Sequence, residues 1–308
     1  MIDFVGKKHW FFLISGILIV IGIVSLVSSQ IQFGAPLQLG TDFTGGTSMT
    51  LHFTPQVEQE QLRQEFTNLG YPEAIIQRSG DDFLIRFREI SFQERQDLTE
   101  GLETRLSSEV TVRNFDTVSP YIATETARNA FIAVIVAAVA MMLYIVWAFR
   151  RMPSPFRWGT CAVIALIHDV FIIVGTFSLL GLLAGVAVDA MFITGLLAVV
   201  GYSINNTVVI FDRIRENVSR QIKPDFAATI NDSLVETLGR CFNTALTTIF
   251  VLLALFLFGG TTIQYFVLVL LLGVIIGTYS STCISSQLLV VWEKREWRAL
   301  LPFAKKSA

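Results

Sequence analysis

The stretch Gly201–Asn217, GYSINNTVVIFDRIREN, decides how the rest of the chain is read. It opens as an apolar, helix-like run. Asn205, Asn206 and Thr207 interrupt that run, and it closes in the charges Asp212, Arg213, Arg215 and Glu216. Polar groups a turn or two inside a hydrocarbon span are costly, so they face other protein or a water-filled cavity. The remaining residues are the scaffold that places this stretch.

Of the 308 residues, 53% are hydrophobic and only 16% charged, against about 25% charged in soluble domains. Mean hydropathy is +0.59, and the apolar residues fall in long runs. A helix needs about 20 apolar residues to cross the hydrocarbon core. Six runs qualify or come close: Trp10–Val27, Ala130–Phe149, Gly159–Leu183, Ala190–Phe211, Cys241–Phe258 and Phe266–Trp292. The fold class is therefore an α-helical polytopic membrane protein. The first run has 18 residues behind Lys7 and Lys8, longer than the about 7–15 of a signal-peptide core, and reads as an uncleaved anchor. Cys161, Cys241 and Cys283 lie in or beside apolar runs, which excludes a disulfide framework and reads as packing.

Orientation follows from loop Lys and Arg. Residues 1–9, the loop after the second run, the loop at 212–240 and the tail at 293–308 hold 15 of the 23 basic residues. With six spans all four segments fall on one side, so both termini are expected in the cytoplasm. Residues 30–128 then lie outside. They carry 8 basic and 15 acidic side chains, a net of −7, leaving +5 for the remainder of a chain whose net charge is −2. The expected organisation is an N-terminus and first span at 1–29, an outer domain at 30–128, spans two to six at 129–292 and a basic tail at 293–308.

The outer segment reads as β-α-β-β-α-β, a ferredoxin-like α+β plan. Thr47–Phe53 alternates as a strand, and Val57–Leu69 has helical periodicity, ending at Gly70. Ala74–Gln77 and Asp82–Arg88 flank a Gly80-Asp81 turn as a hairpin. Ser91 caps a helix to about Leu106 with Glu94 at the capping-box position, and Phe92 and Leu98 on its apolar face. Val110–Phe115 closes the set. Gln30–Gly46 and Asp116–Glu125 read as linkers. No His, Cys or paired-carboxylate constellation marks an active site, so a docking or substrate-touching module is expected there.

Four features combine into a resemblance. They are Leu39–Gly46 (LGTDFTGG), His168-Asp169-Val170 in the third run, GYSINNTVVIFDRIREN closing the fourth, and Arg240 before the fifth. Together they resemble the SecF family, the smaller membrane subunits of the SecDF accessory complex of bacterial protein export, across nearly the whole chain. The resemblance implies a six-helix module related to the resistance-nodulation-division transporters. It implies pairing with SecD, work beside the SecYEG channel with YajC as a further partner, and use of the proton-motive force to help unfolded preproteins leave on the outer side of the inner (plasma) membrane. It implies no enzyme activity, cofactor, metal or nucleic acid. It also assigns Leu39, Gly40, Thr41, Asp42, Phe43, Gly45, Gly46, Gly201, Asp212, Arg213, Arg215 and Glu216 to the family motif and to partner contact, the generic reading of the first group being a structured turn.

The candidate proton pathway comprises His168, Asp169, Asn205, Asn206, Thr207 and Arg240. His168 and Asp169 lie 11 and 12 residues beyond Arg157, about 16–18 Å deep at 1.5 Å per residue. That is near the midplane of a core about 30 Å thick. Asp169 must be paired, watered or protonated there. It reads either as a proton-sensitive group or as a structural hydrogen bond. Many family members carry Asp at the position of Asn206. Asn does not titrate, so the family's proton-carrier role does not transfer to Asn206. Coupling then rests on a carboxylate of the SecD partner or on Asp169, with Asn206 joining helices. Arg240 reads as a charge partner in a relay or as an interfacial arginine that snorkels to headgroups. Arg213 and Glu216 have i,i+3 spacing on a charged helix end that is either solvated or a partner contact. Pro224 starts a short surface helix in the loop. Gly273 and Gly277, followed by Ser280, Ser281, Thr282, Ser285 and Ser286, form a small-residue packing face. Two other readings remain: a subunit of a related lipid or drug exporter, and an assembly factor without proton coupling of its own.

Overall fold

The computed structural model describes residues 3–221, 223 and 225–296. Pro224 lies outside the described residues, as do Arg298, Lys305 and Lys306 of the basic tail. Two compact units emerge. One holds the residues up to Leu37, Ala133–Ala184 and those from Met191 on, and the other holds Gln38–Ile132 with Gly185–Ala190.

The first unit is a helix bundle. Its helices are α1 (Lys8–Phe33), the later part of α5 (Pro120–Ala148), α6 (Pro155–Ala184), α7 (Ala190–Ser219), α8 (Phe226–Phe258), α9 (Thr261–Ser280) and α10 (Ser286–Glu293). A π-helical turn at Ser281–Ser285 joins the last two into one rod. Among the described residues, six helices are long and apolar enough to cross a membrane. Helices α6 and α7 are half buried, whereas α5 exposes Phe131, Ile135, Val139, Leu143 and Trp147, as a lipid-facing helix does. Helix α1 packs on α6 through two glycines: a Cβ on Gly175 would lie 2.6 Å from the Gly22 Cα. Near the other end of the bundle Phe149 stacks on Trp158 at 5.3 Å, and Phe211 meets both rings edge-on.

The helices outrun their apolar runs, and three expectations are corrected. Helix α1 continues to Phe33, where Gly34 takes the left-handed conformation and closes the helix. Helix α5 begins at Pro120, ten residues before the apolar run, because Pro suits the first helical turn. The second linker is thereby reduced to the single residue between β4 (Glu109–Val118) and that helix. The surface helix expected after residue 219 is the start of α8, an unbroken 33-residue helix capped by Asp225, whose carboxylate accepts from the Ala228 amide at 3.2 Å. Its first turns bury Ala227, Ile230 and Leu234 in the bundle core, which explains the continuity.

The second unit is α+β. The short α2 (Thr41–Thr44) precedes β1 (Gly46–Thr54), α3 (Gln59–Asn68), β2 (Ile75–Ser79), β3 (Asp82–Phe87), α4 (Phe92–Leu106) and β4. The sheet order β2-β3-β1-β4 is antiparallel throughout, which is the split-βαβ arrangement of the ferredoxin-like plan. A register shift after Thr50 lets β4 follow β1 as far as Gly46↔Val118. Met49, Leu51 and Phe53 alternate onto the helix-covered face and meet Leu62 and Phe66 of α3 and Leu98 and Leu102 of α4. Each such side chain contributes about 1.5–3 kcal/mol on full burial. The capping box at Ser91 and Glu94 forms in both directions. Phe92, expected on the apolar face of α4, is instead 63% exposed with Arg95 stacked over its ring at 4.3 Å, because it lies in the first turn beyond the reach of the core.

The glycine-rich turn belongs to this second unit. Leu39 bridges Val188 in parallel, the Gly40 amide donates to the Val188 carbonyl, and the Val188 amide donates to Gln38, both at 2.7 Å. Asp42 accepts from the amide of Ala190, the first residue of α7, at 2.8 Å. Asp42 therefore ties the turn to a residue distant in sequence. Gly46 has φ +109°, and a Cβ there would lie 2.4 Å from the Phe87 carbonyl oxygen, so only glycine fits.

Candidate functional site

Among the described residues the bundle buries a connected set of polar side chains centred on α6. Asp169, on α6, is 1% exposed. Its Oδ2 accepts from Ser203 Oγ of α7 at 2.6 Å and from Ser280 Oγ of α9 at 2.7 Å. Its Oδ1 lies 2.9 Å from Nδ1 of His168. The other imidazole nitrogen, Nε2, lies 2.9 Å from Ser15 Oγ on α1. Ser15 Oγ is 3.2 Å from the Tyr279 hydroxyl, which donates to the Phe11 carbonyl at 2.8 Å. Four rods, α1, α6, α7 and α9, thus meet on two adjacent residues of one helix. An isolated ion at this depth would cost several kcal/mol; three donors around one carboxylate offset that cost.

A second layer lies one turn along α7. Asn206 is 4% exposed and donates through Nδ2 to Thr278 Oγ1 at 3.2 Å. Thr207 Oγ1 and Ser281 Oγ are 2.9 Å apart. Ser281 begins the π turn, and its carbonyl accepts from both Ser285 Oγ at 2.9 Å and Ser286 Oγ at 3.0 Å. The turn changes the helix repeat next to the Asp169 site, a place where π turns recur in functional helices. Close packing of α7 on α9 depends on the predicted small-residue pair: a Cβ on Gly273 would meet Val199 at 1.9 Å, and one on Gly277 would meet the Ser203 Cβ at 3.0 Å.

The candidate residues separate into groups. His168 and Asp169 bond to each other, and Asn206 and Thr207 join the adjacent layer. Asn205 is exposed and turned away from both, since consecutive residues project about 100° apart on a helix. Arg240 is also exposed, and among the described residues its side chain has no ion pair or hydrogen bond. Gly201 is exposed with open space around it. Arg213 pairs with Glu216 at 2.5 Å and with Glu236 of α8 at 2.6 Å. Asn217 donates to Ser233 and Glu236 of α8, both at 2.9 Å, so this charged helix end clasps α8. Asp212 pairs with Arg215 at 2.5 Å, a second i,i+3 contact beyond the one the spacing singled out. Ser15, Ser203 and Tyr279 were not singled out in the sequence, and Ser280 was read only as packing.

Two family profiles match. The one described as "Protein export membrane protein SecD/SecF, C-terminal" covers residues 99–295, and "SecD/SecF GG Motif" covers residues 31–57. The chain belongs to the SecD/SecF family. It is of the SecF type. A relative named "Protein translocase subunit SecF" from Anaerolinea thermophila is 40% identical over 97% of this chain and 96% of its own length. "Protein translocase subunit SecDF" from Thermus thermophilus is 36% identical over 89% of this chain and 37% of its own length. The crystal structure of that organism's SecDF, titled a translocon-associated membrane protein, superposes with a TM-score of 0.84 at 34% identity, over 96% of this chain and 39% of the longer one. The six spans, the GG turn and the Asp169 network are therefore features of a SecF-type, multi-pass membrane subunit in a transport family.

Proposed function

We propose that this chain pairs with SecD in the bacterial plasma membrane, both termini cytoplasmic, and that the pair uses the proton-motive force to draw preproteins out of the SecYEG channel. His168–Asp169 is the protonatable centre on the SecF side. The observation that carries this reading is the placement of a carboxylate and an imidazole, both buried, in direct contact and linked by hydroxyls to three other helices. A proton added to Asp169 removes its charge and turns an acceptor into a donor, so Ser203 and Ser280 must rotate or part. A proton added to His168 makes both ring nitrogens donors, so Ser15 accepts from Nε2 and its own proton turns to Tyr279. Either event biases contacts among four rods. The Thermus relative, whose name joins SecD and SecF and of which this chain spans 37%, supports the pairing.

The test is export in inverted membrane vesicles carrying Asp169→Asn, with and without a collapsed proton gradient. The expected result is normal insertion and normal gradient-independent export, with loss of the gradient-dependent part. Full gradient dependence in that variant overturns the proposal. A second reading, an assembly subunit without its own proton coupling, is favoured by Asn206, whose neutral amide occupies the layer next to Asp169. Under that reading Asp169→Asn lowers thermal stability and leaves gradient dependence intact.

A further inference from the structure

A cavity of about 340 Å³ opens beside the end of α5, lined by Tyr144, Trp147, Phe149, Arg150, Arg151, Val208, Asp212 and Arg215. Its chemistry is graded along the helix axis. Tyr144 and Trp147 are 47% and 63% exposed, with ring centroids 6.5 Å apart, and they form an outward aromatic wall. Arg150 and Arg151 follow within one turn and are exposed. Both arginines lie past Ala148, the last residue of α5, and so follow the aromatic residues along the chain. That is the order in which a bilayer presents acyl boundary and then phosphate, with Trp and Tyr at the interface.

The arginines are also arranged for an anion. Arg150 stacks on Trp147 at 4.8 Å and donates Nη1 to the Trp147 carbonyl at 3.2 Å, which fixes a side chain that lines the cavity. Arg151 has no carboxylate partner among the described residues, and neither has Arg150. The only acidic group in the lining, Asp212, is already paired with Arg215, whose guanidinium lies 5.8 Å from the Phe149 ring. The cavity therefore carries two uncompensated positive charges over an aromatic floor. Planar guanidinium forks match phosphate geometry, and basic recesses between membrane helices take acidic lipid headgroups. Arginines that only set topology have no need to converge on a cavity.

We propose that this recess binds the phosphodiester headgroup of an anionic phospholipid, with Arg150 and Arg151 on the phosphate and Tyr144 and Trp147 along the glycerol and upper acyl chain. Arg215 holds Asp212 away from the anion. The site is separate from the Asp169 network.

Native mass spectrometry of the full chain in detergent, supplied with phosphatidylglycerol and phosphatidylcholine in equal amounts, tests it. The expected result is a tenfold or greater preference for phosphatidylglycerol, reduced to within twofold in the Arg150→Gln/Arg151→Gln variant and largely kept in Arg150→Lys/Arg151→Lys. A third arm adds inorganic phosphate at millimolar concentration. Failure of phosphate to displace the lipid supports the lipid assignment, and displacement by free phosphate overturns it. Equal retention of the two lipids by the unsubstituted chain, or an unchanged preference in the Gln variant, overturns the site. Should the double Gln variant fail to fold, Arg151→Gln alone carries the same comparison, because its exposed side chain holds no other part of the structure.

Discussion

His168 and Asp169 are consecutive in sequence and bonded in space, Nδ1 to Oδ1 at 2.9 Å. Neighbouring side chains on a helix ordinarily diverge, so this contact uses the one edge where their arcs overlap. It assigns a role to one ring nitrogen. With a carboxylate at Asp169, Nδ1 donates, whereas Nε2 shares Ser15 Oγ with the Tyr279 hydroxyl; Tyr279 donates to the Phe11 carbonyl, so the single Ser15 proton serves either Nε2 or Tyr279.

Ser203 and Ser280 share one carboxylate oxygen. Each hydroxyl bonds to a charged acceptor, so Ser203→Ala and Ser280→Ala should each destabilise the chain by about 1–3 kcal/mol. In the double variant the two losses should fail to add, since the remaining donor shifts when its neighbour is gone. Thermal unfolding in detergent of the two single variants and the double reads this directly. Strict additivity would argue that the hydroxyls bond elsewhere.

Asn206→Asp introduces the carboxylate that the family resemblance implies but should not raise gradient-driven export. Asn206 donates to Thr278, and the Thr278 hydroxyl already donates to the Val274 carbonyl at 2.7 Å. A carboxylate would lose its donor role without gaining an available hydroxyl, at a cost of about 1–3 kcal/mol. The expected outcome is a lower unfolding temperature with no gain in gradient-driven export. A marked gain would place the proton centre at this layer instead of at Asp169.

Gly175→Ala should separate α1 from α6, because the added methyl would lie 2.6 Å from the Gly22 Cα and backbone does not yield as a side chain does. Overpacking of this kind costs about 1–3 kcal/mol. Gly201→Ala is the control: nothing lies within 4 Å of its added Cβ, and φ there requires no glycine, so helix propensity predicts a gain of about 0.5–1 kcal/mol. Equal effects of the two substitutions in a melting experiment would contradict the packing.

Glu94 supplies a pH test on the α+β unit. The Ser91 amide, donating at 2.7 Å, and then the Ser91 hydroxyl hold its carboxyl below the ordinary carboxylate value. A depressed folded-state value stabilises above the unfolded value and loses that contribution as pH falls through the folded one. Amide exchange in the first turn of α4 should therefore quicken only below the ordinary carboxylate range, and Glu94→Gln should remove that acid-induced change. An acid response that survives the substitution would assign it to another group.

How much of this was legible in the sequence depends on the signal each part leaves. Long apolar runs announce themselves, so six spans could be counted. Their ends could not be placed, because residues such as Asn231, Asp232 and Glu236 make the start of α8 look like surface while Ile230 and Leu234 are fully inside. The α+β order was readable because alternation, a capping box and a hairpin turn are each local. Within the site, Asp169 and His168 stood out as ionisable groups in hydrocarbon. Ser15, Ser203 and Tyr279 did not, since a lone hydroxyl in an apolar helix commonly bonds its own preceding carbonyl. Asn205 and Asn206 are equivalent on paper; helix phase alone turns one outward and the other toward Thr278.

The contact between Gly22 and Gly175 has a geometric consequence for the network above it. Ser15 and His168 each lie seven residues before those glycines on their own helices. Two parallel rods that touch twice, one heptad apart on both, cannot slip lengthwise without opening both contacts together. What is left to them is a tilt or a roll about the glycine pair as a fulcrum, with the imidazole–hydroxyl bond at the end of an arm about 10 Å long. A small angular change at the glycines therefore becomes a make-or-break displacement at His168.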